Sequence, residues 1–144
     1  MSLRHVLEIR AAQPSDAPAL AELLGYAPSL ARRIEALRAS QGTALLALEW
    51  GPPSGVIALH WHATLTDDQP VAYVSTFLVA EQARRRGIGR LLIKAAAQSA
   101  RAAGCARLTL SAPQPAGDLH LFCIATGFTQ DNQNLFSRNL RRGG

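Results

Sequence analysis

Arg84, Arg85, Arg86, Gly87, Ile88, Gly89 and Arg90 stand together in the middle of the chain. Residues of these types in this order suit the holding of a phosphate-rich ligand. Two glycines at the mouth of a helix leave backbone N–H groups without partners and without side chains to screen them, and the helix dipole adds partial positive charge. The arginines add whole charges. Other glycine corners do not fit the spacing. A dinucleotide-binding corner needs G-x-G-x-x-G directly after its strand and an acid roughly 20 residues on, whereas Leu92 fills the third glycine's place and residues 107–111 carry no acid. A nucleotide-triphosphate loop ends in Gly-Lys-Ser/Thr, and the only lysine, Lys94, falls inside the helix. A solvated basic turn before a surface helix is the plain alternative. His60 and His62, two apart on an expected strand and so on one face, could pair on a metal, but no nearby Cys, Asp or Glu completes a shell, and no metal is expected.

The elements that must position this loop follow from periodicity. Residues 71–79 form a β-rich apolar run leading through a polar corner into an alanine-rich helix over 87–103. That helix is expected to bury Leu91, Leu92, Ala95, Ala96, Ser99 and Ala102 and to turn Arg90, Lys94 and Arg101 away. Upstream, residues 6–10 alternate as a strand, Pro14, Ser15 and Asp16 start a helix over 17–24, and Leu30, Ile34, Leu37 and Arg38 mark a second one. Residues 44–50 and 56–63 read as a hairpin around a Gly-Pro-Pro-Ser-Gly turn. Downstream, Gly104 stops the helix, residues 107–111 form a strand parallel to 71–79, Asp118 caps a short helix through Ala125, and 128–130 with 134–139 make a last strand pair.

With 144 residues and 48% hydrophobic content, one domain over residues 1–144 is expected. The net charge of +5 favours anionic ligands. It does not by itself separate a coenzyme from nucleic acid, but no aromatic residues interleave with the arginines and no helix-turn-helix reading lies near them, which disfavours nucleic acid. No apolar run is long enough for a membrane span, and residues 1–10 contain Glu8 and no signal-peptide core, so a soluble cytoplasmic protein is expected. Cys105 and Cys123 are too few and too far apart for a disulfide framework.

The segment from Phe77-Leu78-Val79 through Arg84-Arg85-Arg86-Gly87-Ile88-Gly89 to Arg90 resembles the pyrophosphate loop of the GNAT superfamily of N-acetyltransferases, Arg/Gln-x-x-Gly-x-Gly/Ala after a strand ending in Leu-x-Val. The order of elements resembles the whole GNAT fold. The resemblance implies an α/β mixed sheet of about six to seven strands, helices on both faces, and a splay between the fourth and fifth strands. It also implies acetyl-coenzyme A as co-substrate, held by the backbone of Phe77, Leu78 and Val79 and by residues 84–90, including Ile88, with Phe122 contributing further along.

The resemblance fails in part where the chemistry would lie. Near the C-terminus the family carries Phe-Tyr-x-x-x-Gly-Phe, whose tyrosine protonates the coenzyme thiolate. Phe122, Gly127 and Phe128 match, but Cys123 stands at the tyrosine position. Cys123 is either a short-reaching proton donor or a buried apolar residue. Many relatives place an acid on the fourth strand, where this chain has Ser75 or Thr76. His60, His62 and His120 are then the candidates for accepting a proton, and His120 shares a helix face with Cys123. Arg85 and Glu81 also depart from the family's usual Gly and Pro. The leading reading is an N-acetyltransferase acting on a primary amine of a small molecule or peptide; the alternative is a coenzyme A-binding module with little or no catalysis. The acceptor, the acyl length and the oligomeric state stay open, a homodimer included.

Overall fold

The computed structural model describes residues 7–25, 28–112, 117–131 and 137–140. The chain divides into two compact units, Met1–Ser111 and Ala112–Gly144. In the first, the sheet is built from β1 (Glu8–Ala11), β2 (Gly42–Leu48), β3 (Gly55–His62), β4 (Val71–Val79) and β5 (Arg107–Leu110), in that spatial order. β1 to β4 pair antiparallel as a meander, and β5 joins β4 in parallel after the crossover through α3 (Ile88–Ala102).

Apolar residues run almost continuously through β2 and β3 because both faces of the sheet are covered. Ala44, Leu46, Val56 and Ala58 form one core with Leu20 of α1 (Ala17–Leu24) and Ile34 of α2 (Leu30–Ala39). On the other face α3 comes so close that a Cβ on Gly55 would lie 2.9 Å from a Leu92 methyl group. The buried stripe of α3 is Ile88, Leu92, Ile93, Ala96 and Ala100. This corrects the expected face: Leu91 is 42% exposed and Ala102 is also exposed. The i, i+4 row starting at Ile88 points at the sheet, and Leu91 and Ala102 lie off it.

The sheet has five strands among the described residues, not six to seven. Of the expected last pair, residues 128–130 and 137–139 are not strand, and 134–136 lie outside the described residues. The local reason is the end of α4 (Asp118–Ala125) in the second unit. Gly127, at φ 96°, closes the helix with a left-handed turn, and the Phe128 N–H bonds back to the Cys123 carbonyl at 3.0 Å. A backbone donor used in a helix cap is not free for a ladder.

Between the fourth and fifth strands, where a splay is expected, the structure shows a short ladder, which is not itself a splay. β4 pairs with β5 only from Val71–Arg107 to Val74–Leu110, and β4 then runs on to Val79. Among the described residues no helix is long and apolar enough to cross a membrane.

The first unit is tied at its start by a two-pronged ion pair. Arg10 on β1 donates to both oxygens of Asp16 at 2.8 Å, and Asp16 also accepts the Gln13 N–H at 2.7 Å, closing the 3-10 turn Pro14–Asp16 ahead of α1. Hydrogen bonds from Arg10, then from Gln13, outweigh desolvation and hold the Asp16 carboxyl down at about 2, against an ordinary 3.8. A depressed carboxyl stabilises the fold above its unfolded pKa and loses that contribution as pH falls through the folded value. Asp16→Asn should therefore cost about 1 kcal/mol at pH 7, discounted for the screening of the half-exposed Arg10. Denaturant titrations should show the difference between variant and wild type shrinking from about pH 4 to pH 2; a constant difference across that window would remove Asp16 ionisation as the cause.

Candidate functional site

The site starts where β4 stops. The Ala80 N–H donates to the Ser54 carbonyl at 2.7 Å, which fastens the end of β4 to the turn between β2 and β3. A 3-10 turn, Glu81–Ala83, follows with Ala83 buried, and it swings the chain toward α3. Arg84 folds back, its Nε donating to the Val79 carbonyl at 3.3 Å. Arg85 then takes φ 68°, in the left-handed region. Glycine adopts that conformation at no steric cost, which accounts for the glycine at this place in the loop pattern that the sequence resembles. Gly87 is also left-handed, at φ 80°, and an added Cβ there would meet nothing within 4 Å, so its backbone is open to an approaching ligand.

α3 begins at Ile88 without a side-chain cap and without an acid in its first turn. Its first backward hydrogen bond runs from the Leu91 N–H to the Gly87 carbonyl at 3.1 Å. The amides of Ile88, Gly89 and Arg90 precede that bond, so helix geometry supplies them no carbonyl and the dipole makes them attractive to an anion. Arg84, Arg85, Arg86 and Arg90 are exposed around them. Phe77, Leu78 and Val79 lie just before, with Leu78 packed against the α1–α2 core. All the loop and strand residues expected to bind coenzyme thus meet at one end of the first unit, except Phe122, which is on α4.

Sequence reasoning missed two parts of this site. One is Glu49, 37 residues from its partner: it pairs with Arg86 and accepts from the Ser54 hydroxyl at 3.1 Å, and no local pattern announces it. That ion pair raises the Arg86 pKa, chiefly through the hydrogen bond, and leaves Arg86 already engaged. The other is a β-bulge. Ala58 pairs with Thr76 and Leu59 with Val74, so Ser75 is the extra, exposed residue, one place beyond the last β4–β5 pair. A bulge bends its strand and re-aims the side chains around it.

The candidate acid–base residues fall in two places. On the sheet, His60 lies opposite Tyr73, ring centroids 5.4 Å apart and tilted by 57°, and His62 is exposed opposite Val71. No group of three metal-ligating side chains occurs among the described residues. In the second unit, His120 and Cys123 are both on α4, with Phe122 beside them. Cys123 is buried, and burial pushes its thiol pKa up, so the proton is held more tightly than in an ordinary cysteine.

Residues 7–122 match the family model described as the acetyltransferase (GNAT) family. Among curated proteins none matches. Of solved structures, a protein of Agrobacterium tumefaciens str. C58 described as an acetyltransferase is 27% identical, with a TM-score of 0.80, over 92% of this chain and 99% of its own. Glucosamine-6-phosphate N-acetyltransferase from Arabidopsis thaliana is 16% identical with the same TM-score, over 94% of this chain and 99% of its own. An aminoglycoside N-acetyltransferase in complex with CoA is 21% identical with a TM-score of 0.77, over 92% of this chain and 98% of its own. The last two likenesses speak for the fold, and the family model, matching most of the chain, speaks for descent. With its mixed sheet, its interrupted β4 ladder and its uncapped, arginine-lined α3, the chain belongs to the GNAT acetyltransferase family.

Proposed function

We propose that this chain, as one catalytic domain over residues 1–144, transfers an acetyl group from acetyl-coenzyme A to a primary amine of a small molecule or peptide. The observation that carries the reading is a strand that outruns its parallel neighbour and leads into an uncapped, arginine-lined helix start. The β4–β5 ladder ends at Val74–Leu110 while β4 runs on to Val79, and its end leads directly into the exposed left-handed Gly87 and the uncapped start of α3. An extended arm with a diphosphate head fits that pairing: peptide-like groups against a strand, charge against helix amides. The amine acceptors named for the similar solved structures, glucosamine-6-phosphate and aminoglycosides, favour an amine here. The two free cysteines suit a reducing cytoplasm.

Bound coenzyme supplies the activated acetyl thioester. The residues of this chain would hold the diphosphate on the amides of residues 88–90, align the arm along Phe77, Leu78 and Val79, and let the amine approach the bulge at Ser75. Proton removal from the amine falls to water or an imidazole, because Ser75 and Thr76 are no bases unaided. Cys123, with its raised thiol pKa, keeps a proton to give, and His120 and Phe122 share its helix. The absence of an acid on β4 and of a tyrosine at position 123 favours, as second reading, coenzyme binding without transfer. Thiol release from acetyl-coenzyme A across an amine panel separates the two: turnover with any amine supports transfer, and tight binding without turnover supports the second reading.

Gly89→Asp tests the cradle. An aspartate in the first helical turn suits the dipole, so the fold should be kept or slightly stabilised. Its charge would stand where the diphosphate should lie, and coenzyme A affinity measured by calorimetry should fall at least tenfold, about 1.4 kcal/mol. An unchanged affinity would remove the loop from the binding site. Cys123→Ala tests the acid. We expect a loss of about 1 kcal/mol in stability from the emptied volume, with kcat within threefold of wild type because water returns the proton. A large kcat loss at an unaltered melting temperature would instead make Cys123 the donor.

A further inference from the structure

The four arginines of the loop are not used alike. Arg84 is tethered to the Val79 carbonyl at 3.3 Å, and Arg86 is tethered to Glu49. Arg85 stands between them at φ 68°. A non-glycine residue in that region is strained, and such strain persists only where the surroundings over-determine it. The two tethers bracket the strained residue on either side. Arg85 and Arg90 themselves carry no side-chain hydrogen bond or ion pair among the described residues.

Glu49 follows β2 and belongs to a different part of the sheet from the loop. Its side chain is only 8% exposed, although its partner Arg86 is half-exposed. The carboxylate is itself seated by the Ser54 hydroxyl, and the Ser54 carbonyl accepts the Ala80 N–H at the end of β4. One turn therefore holds both the end of the strand and the acid that holds the loop. A negative charge next to an anion cradle lowers the local potential and by Coulomb's law alone opposes diphosphate binding. Its presence is intelligible if what it supplies is position.

We propose that Glu49 is a positioning residue for the coenzyme: with the Val79 carbonyl it ties down Arg86 and Arg84, holds the Arg85–Gly87 backbone in its anion-receiving shape, and leaves Arg85 and Arg90 as the side chains that meet the diphosphate. The inference rests on the coenzyme reading above and adds to it a division of labour. Arg86 acts through its tether and not as a phosphate ligand.

The test measures coenzyme A affinity by calorimetry, and kinetics with acetyl-coenzyme A and with acetyl-pantetheine, which lacks the diphosphate. Glu49→Gln keeps size and the capacity to accept from Ser54. It should weaken coenzyme A binding five- to tenfold and raise the KM for acetyl-coenzyme A in parallel, with kcat within twofold and kcat/KM for acetyl-pantetheine unchanged. Arg86→Gln should reproduce this, and the double variant should be no worse than either single one, because both changes cut the same tether. If Glu49→Gln does not fold, Arg86→Gln carries the same comparison. Unchanged or tighter coenzyme A binding in a folded Glu49→Gln protein overturns the proposal, as does an equal loss with acetyl-pantetheine, which would mark general destabilisation. Wild-type protein that fails to bind coenzyme A would instead strike the underlying reading, and the proposal with it.

Discussion

Burial of Ile88 is the constraint on which the first unit depends. This side chain sits between the two glycines of the loop, yet it is only 1% exposed, and Leu92 one turn later is fully buried. Burying such a side chain contributes about 1.5–3 kcal/mol. The same contact fixes the first turn of α3 against the sheet at the place where β4 ends. The amides of residues 88–90 are therefore aimed by the core itself. A site whose donors are backbone groups needs its backbone held, and here the residue that holds it lies inside the motif.

Polar ties complete what packing begins. No polar or charged residue is buried in the described core, and charge is kept at its rim. The Arg10–Asp16 pair locks β1 to the entry of α1, and the Glu49–Arg86 pair locks the end of β2 to the loop. Partly exposed pairs of this kind contribute little to global stability, on the order of 1 kcal/mol or less. What they provide is the fixing of particular connections, at the two points where the chain leaves the sheet for a helix. The net charge of +5 has its densest group in residues 84–90, so the molecule's excess charge and its uncapped helix end coincide.

Strand order and strand length do a second kind of work. β5 is four residues long and β4 nine, and they start in register. The mismatch alone ends the β4–β5 ladder at Val74, five residues before β4 itself ends. The bulge at Ser75 falls one place beyond that point. A strand that is laddered at its start and bulged at its middle can serve as sheet at one end and as a ligand-facing edge at the other.

The sequence by itself determined what is local. α1 and β4 have the bounds that periodicity predicted, α4 ends at Ala125 as expected but begins at Asp118 with Gly117 in the cap position, and the glycine- and arginine-rich helix start was legible because its parts are neighbours in sequence. The family, too, was readable from that stretch. Tertiary structure decided what depends on distance or register. The buried face of α3 was shifted from the expected one because the row beginning at Ile88 was chosen by the sheet, which a helical wheel cannot see. The last strand pair was expected from short alternating runs, but the Phe128 N–H belongs to the cap of α4. Ser75 was singled out by analogy, yet its status as a bulge residue exists only in the pairing of β3 with β4. Glu49 reads in sequence as an acid after a strand; its meeting with Arg86 comes from folding the turn between β2 and β3 against the end of β4, and long-range ion pairs leave no trace in local periodicity.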